Sequence, residues 1–281
     1  MPNTETQSLS ATLGVVLSGG GTLSAYAVGA LRALAEVHGV ASPQVLVATS
    51  GGAAAGMFYL VGRFADMYAW ADLFDDPRFI SWRRIGAPIM DINFLVDGIL
   101  AIQAPNLPNE VGAIATKFFI PATALPEGKP HWFSHADTSS LFDVLRATKT
   151  VPGICGDGVK INGSHFVDGS FSVSIEECIA KAFAEGAEKV VLIDNASYGP
   201  VSLLTQTLMR WQVRRASREV QAVVERYIDG SKRTRPPEAQ SRLLVCRRSR
   251  LASRHPLNRA AHRSHKTIAQ GYEDMASLNL A

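Results

Sequence analysis

Three short segments carry residue types whose order and context suit acyl transfer. Ser50 lies in Ala48-Thr49-Ser50-Gly51-Gly52, directly after the apolar run Val45-Leu46-Val47. Gly19-Gly20-Gly21 follows the earlier apolar run 13–17, and Asp168 stands much later in Val167-Asp168-Gly169. A serine hydroxyl is a poor nucleophile until a base takes its proton. It must also project from the fold, which a sharp strand-to-helix turn achieves when small residues flank it. Gly52 fills the downstream flank, while Ala48 stands upstream where a glycine is usual. The bland alternative for Ser50 is the N-cap of the helix that follows.

Consecutive glycines let main-chain N–H groups turn toward one point without side-chain obstruction. With a helix behind them they form an anion cradle, and acyl transfer needs such a cradle for its oxyanion. The rival is a dinucleotide fingerprint. Gly19-x-Gly21 fits it, but Ser24 occupies the third glycine position and the only acid near the required offset, Glu36, falls inside the expected helix. For the base, seven histidines compete with Asp168. The order Ser50…Asp168…His265 suits an α/β-hydrolase triad, yet that fold puts several strands before its elbow, whereas here only one strand is expected before the Ser50 elbow.

The elements that must hold these groups follow from periodicity. Strands are expected at 13–17, 45–48, 117–123, 131–134, 159–161, 165–167 and 189–193. Asn162-Gly163 is a strong hairpin turn between the fifth and sixth. Helices are expected at 24–38, 52–68, 140–148, 175–185, 203–228 and 258–278, with a short one beginning at Asp97 and a linker at 233–238. Strands alternating with helices predict a three-layer α/β/α fold on a mostly parallel central sheet. The segment 75–88 reads as a lid or loop, with Phe79, Ile80 and Trp82 beside Arg83 and Arg84.

Composition sets further bounds. The chain has 281 residues, 47% of them hydrophobic and 19% charged, enough for a large core. Three cysteines without CxxC spacing imply free thiols in a reducing, cytoplasmic compartment, and the polar first ten residues are not a secretory signal. No metal site is expected: the acids Asp72, Asp75 and Asp76 lack calcium-loop spacing and read as a solvated turn. Residues 210–266 hold 16 Lys and Arg against 4 Asp and Glu, while the remainder holds 12 against 21. That basic region suits peripheral contact with an anionic membrane or, as a weaker idea, nucleic acid; a solvated helix face is the plain alternative.

The residues together resemble the patatin-like phospholipases. The resemblance rests on Ser18-Gly19-Gly20-Gly21, Ala27-Val28-Gly29-Ala30-Leu31, the Ser50 elbow and Val167-Asp168-Gly169-Ser170. Trp82-Arg83-Arg84, Pro88-Ile89-Met90-Asp91-Ile92, Phe142 to Ala147 leading to Val151-Pro152-Gly153, and Gly186-Ala187-Glu188-Lys189-Val190-Val191 reinforce it. It implies a serine–aspartate dyad without histidine: Ser50 as nucleophile, Asp168 as base, and Gly19, Gly20, Gly21 and Gly51 as oxyanion donors. It implies a lipid or fatty-acyl ester substrate and no cofactor. The implied organisation is a flexible tail at 1–12, a catalytic domain at 13–230, and a basic extension at 231–281 whose terminal helix packs on the same domain. The sequence departs from the family at Ala48, and at Leu23 and Ser24, where the glycine motif usually continues with a basic residue and another glycine. Two readings therefore stand: a lipid acyl hydrolase, and a weakly active or non-catalytic lipid-binding protein on the same fold.

Overall fold

The computed structural model describes residues 12–81, 83–84, 88–136, 140–195, 203–229, 241–248 and 261–280. The first half of the chain runs β1 (Leu13–Leu17), α1 (Ala25–Glu36), β2 (Val45–Ala48), α2 (Gly51–Leu60), α3 (Phe64–Asp72), β3 (Lys117–Leu125), β4 (Lys129–Ser134) and α4 (Leu141–Lys149). The second half runs β5 (Val159–Ile161), β6 (Ser164–Asp168), α5 (Ile175–Ala184), β7 (Lys189–Asp194), α6 (Leu203–Val213), α7 (Arg218–Asp229), β8 (Leu243–Arg247) and α8 (Ala261–Ala276). Short helical turns between residues 92 and 112 bridge α3 to β3.

The strands form one sheet in the order β5-β6-β3-β2-β1-β7-β8, with β4 also paired to β3. The five strands from β3 to β8 run parallel, whereas β4, β5 and β6 are joined through antiparallel pairs. Every residue of β1 and β2 is buried, as befits central parallel strands covered on both faces. Alternation divides them: Leu13, Val15 and Leu17 enter the core shared with α1, α2 and α4, while Val16, Val45 and Val47 face the cluster built on Cys178, Ile179 and Ala182 of α5. The result is the expected three-layer α/β/α arrangement. Among the described residues, no helix is long and apolar enough to cross a membrane.

Three element expectations change. The helix expected at 52–68 is two, because Gly62 takes φ 69° and the Arg63 amide closes on the Phe58 carbonyl at 2.9 Å, ending α2. The helix expected at 203–228 folds back at residues 214–217. There Ser217 Oγ accepts from the Val220 amide at 3.3 Å, and Met209 and Val213 pack against Val220, Val224 and Ile228. The sequence reading also missed β8, which pairs in parallel with β7. In the 75–88 segment Phe79 and Ile80 pack into the core; Trp82 lies outside the described residues, as does the expected linker at 233–238.

The C-terminal helix meets α1 almost backbone to backbone. A Cβ on Gly29 would lie 1.8 Å from the Ile268 carbonyl oxygen, and one on Gly271 would lie 2.1 Å from that of Tyr26. Two glycines facing opposite helices make this crossing possible, and it fixes the helix that follows the glycine loop.

Candidate active site

Ser50 sits at the turn from β2 into α2 with φ 53° and ψ −124°. A side chain at positive φ is crowded by its own backbone, and such strain persists only where the surroundings over-determine it. The serine makes no side-chain capping bond to α2, so its hydroxyl is not used as an N-cap. The surroundings that hold the turn are identifiable. The Ser50 amide donates to Thr148 Oγ1 at 3.0 Å, and the Ser50 carbonyl accepts from Lys149 Nζ at 2.5 Å. The Gly52 amide closes the turn on the Thr49 carbonyl at 3.0 Å.

The glycine loop lies directly against this turn. A Cβ on Gly19 would stand 3.1 Å from Ser50 Cβ, and one on Gly51 would stand 2.2 Å from Ser24 Oγ and 2.8 Å from the Gly21 carbonyl oxygen. Gly20 is pressed on the far side, where a Cβ would come within 2.9 Å of the Asn195 carbonyl oxygen. Gly21 takes φ 56°, a conformation glycine adopts freely. Among the described residues, the amides of Gly19, Gly20, Gly21 and Gly51 donate to no protein acceptor. The loop is anchored from behind: Ser18 Oγ donates to Asp194 Oδ1 at 3.3 Å and accepts from the Asn195 amide at 2.7 Å. Leu23 and Ser24 are buried, so an apolar side chain stands where the resemblance would put a cation.

Asp168 closes the arrangement from the sheet. It ends β6, paired opposite Ala122 of β3, and is 1% exposed. Its amide donates to the Thr150 carbonyl at 2.9 Å, and its Oδ1 accepts from the Ser170 amide at 2.9 Å. Burial raises its pKa above the ordinary carboxylate value, opposed by the Ser170 amide, by the Ser50 hydroxyl acting as a hydrogen-bond donor and by the positive charge of Lys149. The Ser50 hydroxyl and the Ser170 amide thus both act on the Asp168 carboxylate as hydrogen-bond donors, the amide at 2.9 Å from Oδ1.

The described histidines have other surroundings. His131 stacks edge-on with Phe133, His135 serves the Phe118 amide, and His38 pairs with the Met275 carbonyl. His165 and His265 are exposed, which leaves no described histidine bonded to Ser50 or Asp168. The cysteines are free thiols.

Sequence reading missed Thr148 and Lys149, the two residues that grip both ends of Ser50. A signal existed. Leu141, Val144, Leu145 and Thr148 mark the buried stripe of α4, and Lys149, eight residues after Leu141, falls on that same stripe. A lysine on an apolar face is worth explaining.

Comparison with known proteins bears on the family and the fold. The chain is 27% identical over 128 residues to the uncharacterized protein YjjU of Escherichia coli (strain K12), an alignment covering 43% of this chain and 33% of that protein. It therefore spans about a third of that relative's length. Its fold is similar to the crystal structure of VipD from Legionella pneumophila, with a TM-score of 0.55 at 12% identity, covering 94% of this chain and 66% of that one. The family model described as Patatin-like phospholipase matches residues 15–179, which is more than half of the sequence and contains Ser50, Asp168 and the glycine loop. The chain belongs to the patatin-like phospholipase family.

Proposed function

We propose that the protein is a lipid acyl hydrolase in which Ser50 and Asp168 form a catalytic dyad. The observation that carries this reading is the strained Ser50 turn, whose hydroxyl is left free of capping duty and faces a buried carboxylate. Strain at a nucleophile position is a reason to infer function. The buried Asp168 has the raised proton affinity that a carboxylate base needs.

In the proposed reaction Ser50 Oγ attacks the ester carbonyl carbon while Asp168 takes the hydroxyl proton. The carbonyl oxygen becomes an oxyanion received by the amides of Gly19, Gly20, Gly21 and Gly51. Collapse breaks the carbon–oxygen bond to the leaving alcohol, which takes the proton from Asp168, and the acyl group remains on Ser50. Water then gives its proton to Asp168 as it attacks the acyl carbon. The second tetrahedral species expels the Ser50 oxygen, which recovers the proton, and the fatty acid leaves.

The substrate is the carboxylic ester of a lipid. With Leu23 buried beside the glycines, recognition centres on the ester carbonyl rather than on a phosphate head group. Peripheral contact with anionic lipid belongs to the same proposal, supported by Trp211 on α6, which is 55% exposed with the Arg214 guanidinium 4.1 Å from its ring centroid. Aromatic and cationic side chains together favour a lipid interface.

Hydrolysis of a p-nitrophenyl acyl ester tests the reading. Wild type turns over, while Ser50→Ala and Asp168→Asn each lose activity with an unchanged circular dichroism spectrum. Full activity in Ser50→Ala would refute the mechanism. The competing reading, a non-catalytic lipid binder, draws on Leu23, Ser24 and Ala48; it predicts liposome binding without turnover.

A further inference from the structure

Lys149 is 5% exposed at the end of α4, and its Nζ donates to the Ser50 carbonyl at 2.5 Å. Its remaining N–H groups meet no acceptor among the described residues. The groups that surround it come from four places: Ser50 at the start of α2, Asp168 at the end of β6, Cys155 in the loop after α4, and Trp70 of α3, whose ring centroid is 6.0 Å from Nζ. Among the described residues, the Asp168 carboxylate acts on Lys149 by its charge, and Lys149 acts on Asp168 in return. Among the described residues the two do not form a contact ion pair; the interaction acts through space.

We propose that Lys149 is a positioning residue of this site: it pins the Ser50 carbonyl and so holds the elbow, and its positive charge keeps the buried Asp168 carboxylate ionised. This inference rests on the dyad reading and adds a component to it. The competent state then has Lys149 protonated and Asp168 unprotonated. Burial lowers the Lys149 pKa to about 7, against the raising influence of Asp168, while burial holds the Cys155 thiol up at about 12, neutral throughout. Activity accordingly rises as Asp168 ionises and falls again as Lys149 loses its proton.

Two measurements test this. In the first, kcat/KM for a p-nitrophenyl ester is followed against pH in wild type, Lys149→Met and Lys149→Arg. Wild type should give a bell with its alkaline limb near neutrality. Lys149→Met should lose that limb and show an acid limb higher by about one pH unit or more, as expected when an opposite charge is removed. Lys149→Arg should recover the lower acid limb without the alkaline one. A Lys149→Met profile that merely scales down without shifting overturns the proposal and leaves a packing role. The second measurement needs neither activity nor a folded Lys149 variant: carbon-13 NMR of the lysine ε-methylene groups in wild type and Asp168→Asn. The Lys149 resonance should titrate near neutrality in wild type and at lower pH in Asp168→Asn. An unmoved midpoint overturns the proposal even if the protein proves inactive, whereas a shifted midpoint in an inactive protein refutes the dyad reading and not the coupling.

Discussion

Thr148 and Ser50 are joined by a relay: the Ser50 amide donates to Thr148 Oγ1 at 3.0 Å, and that hydroxyl donates onward to the Pro121 carbonyl at 2.8 Å. One buried side chain thereby ties the nucleophile turn to β3, the strand that also pairs with the segment ending in Asp168. Two positions on, the Thr150 carbonyl receives the Asp168 amide. The end of α4 is the common mount for both halves of the proposed dyad.

Thr148→Val keeps the shape and deletes the relay. It leaves the Ser50 N–H and the Pro121 carbonyl unpaired in the interior, which costs about 1–3 kcal/mol. Urea unfolding should show a loss in that range together with reduced esterase activity, and Thr148→Ser should restore most of both.

Ser50→Gly should be more stable than Ser50→Ala. Both lack the hydroxyl, but only glycine relieves the φ 53° conformation. A residue held in such a region costs about 1–3 kcal/mol, partly offset by glycine's greater loss of chain entropy on folding, about 0.5–1 kcal/mol. Equilibrium unfolding of the two inactive variants measures the difference directly. Equal stability would mean the turn is unstrained.

Gly51→Ala should disable the site while sparing the fold. The added methyl collides with Ser24 Oγ at 2.2 Å and with the Gly21 carbonyl at 2.8 Å. The turn and the glycine loop must then separate. Loss of one oxyanion donor lowers kcat by about 10²–10³, and single-turnover acylation should report a fall of that order. Adding Ser24→Ala should not restore the rate, because the Gly21 carbonyl still blocks the methyl.

Gly29→Ala should have the opposite profile. Its methyl strikes the Ile268 carbonyl at 1.8 Å, forcing α8 away from α1. Overpacking of this kind costs about 1–3 kcal/mol. The melting temperature should drop, while kcat/KM measured well below it stays near the wild-type value.

The central strands and the three-layer arrangement were legible in the sequence, and the proposed site residues could be named from it, because each rests on local chemistry. Continuous apolar runs mark β1, β2 and β7, and Asn162-Gly163 marks the turn before β6, where Asn162 takes φ 49° and Gly163 φ 87°. Glycines beside a serine mark a turn that no larger side chain could enter. What stayed hidden depends on packing between distant segments. β8 is a short apolar run that becomes a strand only because the β7 edge is open to it. The break between α6 and α7 occurs in a stretch whose helical periodicity continues through Arg214 and Arg215, and the gain from packing Val213 on Val220 decides it. Lys149 escaped notice because a lone lysine ordinarily points to solvent; its burial follows from the position of Leu141, Val144 and Leu145 on the same stripe.

The most direct test of the central claim is mass spectrometry of the folded protein after exposure to a fluorophosphonate. This reagent captures a serine that has been made nucleophilic. A single adduct is expected on the peptide containing Ser50, absent in Ser50→Ala and formed far more slowly in Asp168→Asn. A folded wild-type protein that takes up no label, or one labelled equally in Ser50→Ala, would contradict that claim.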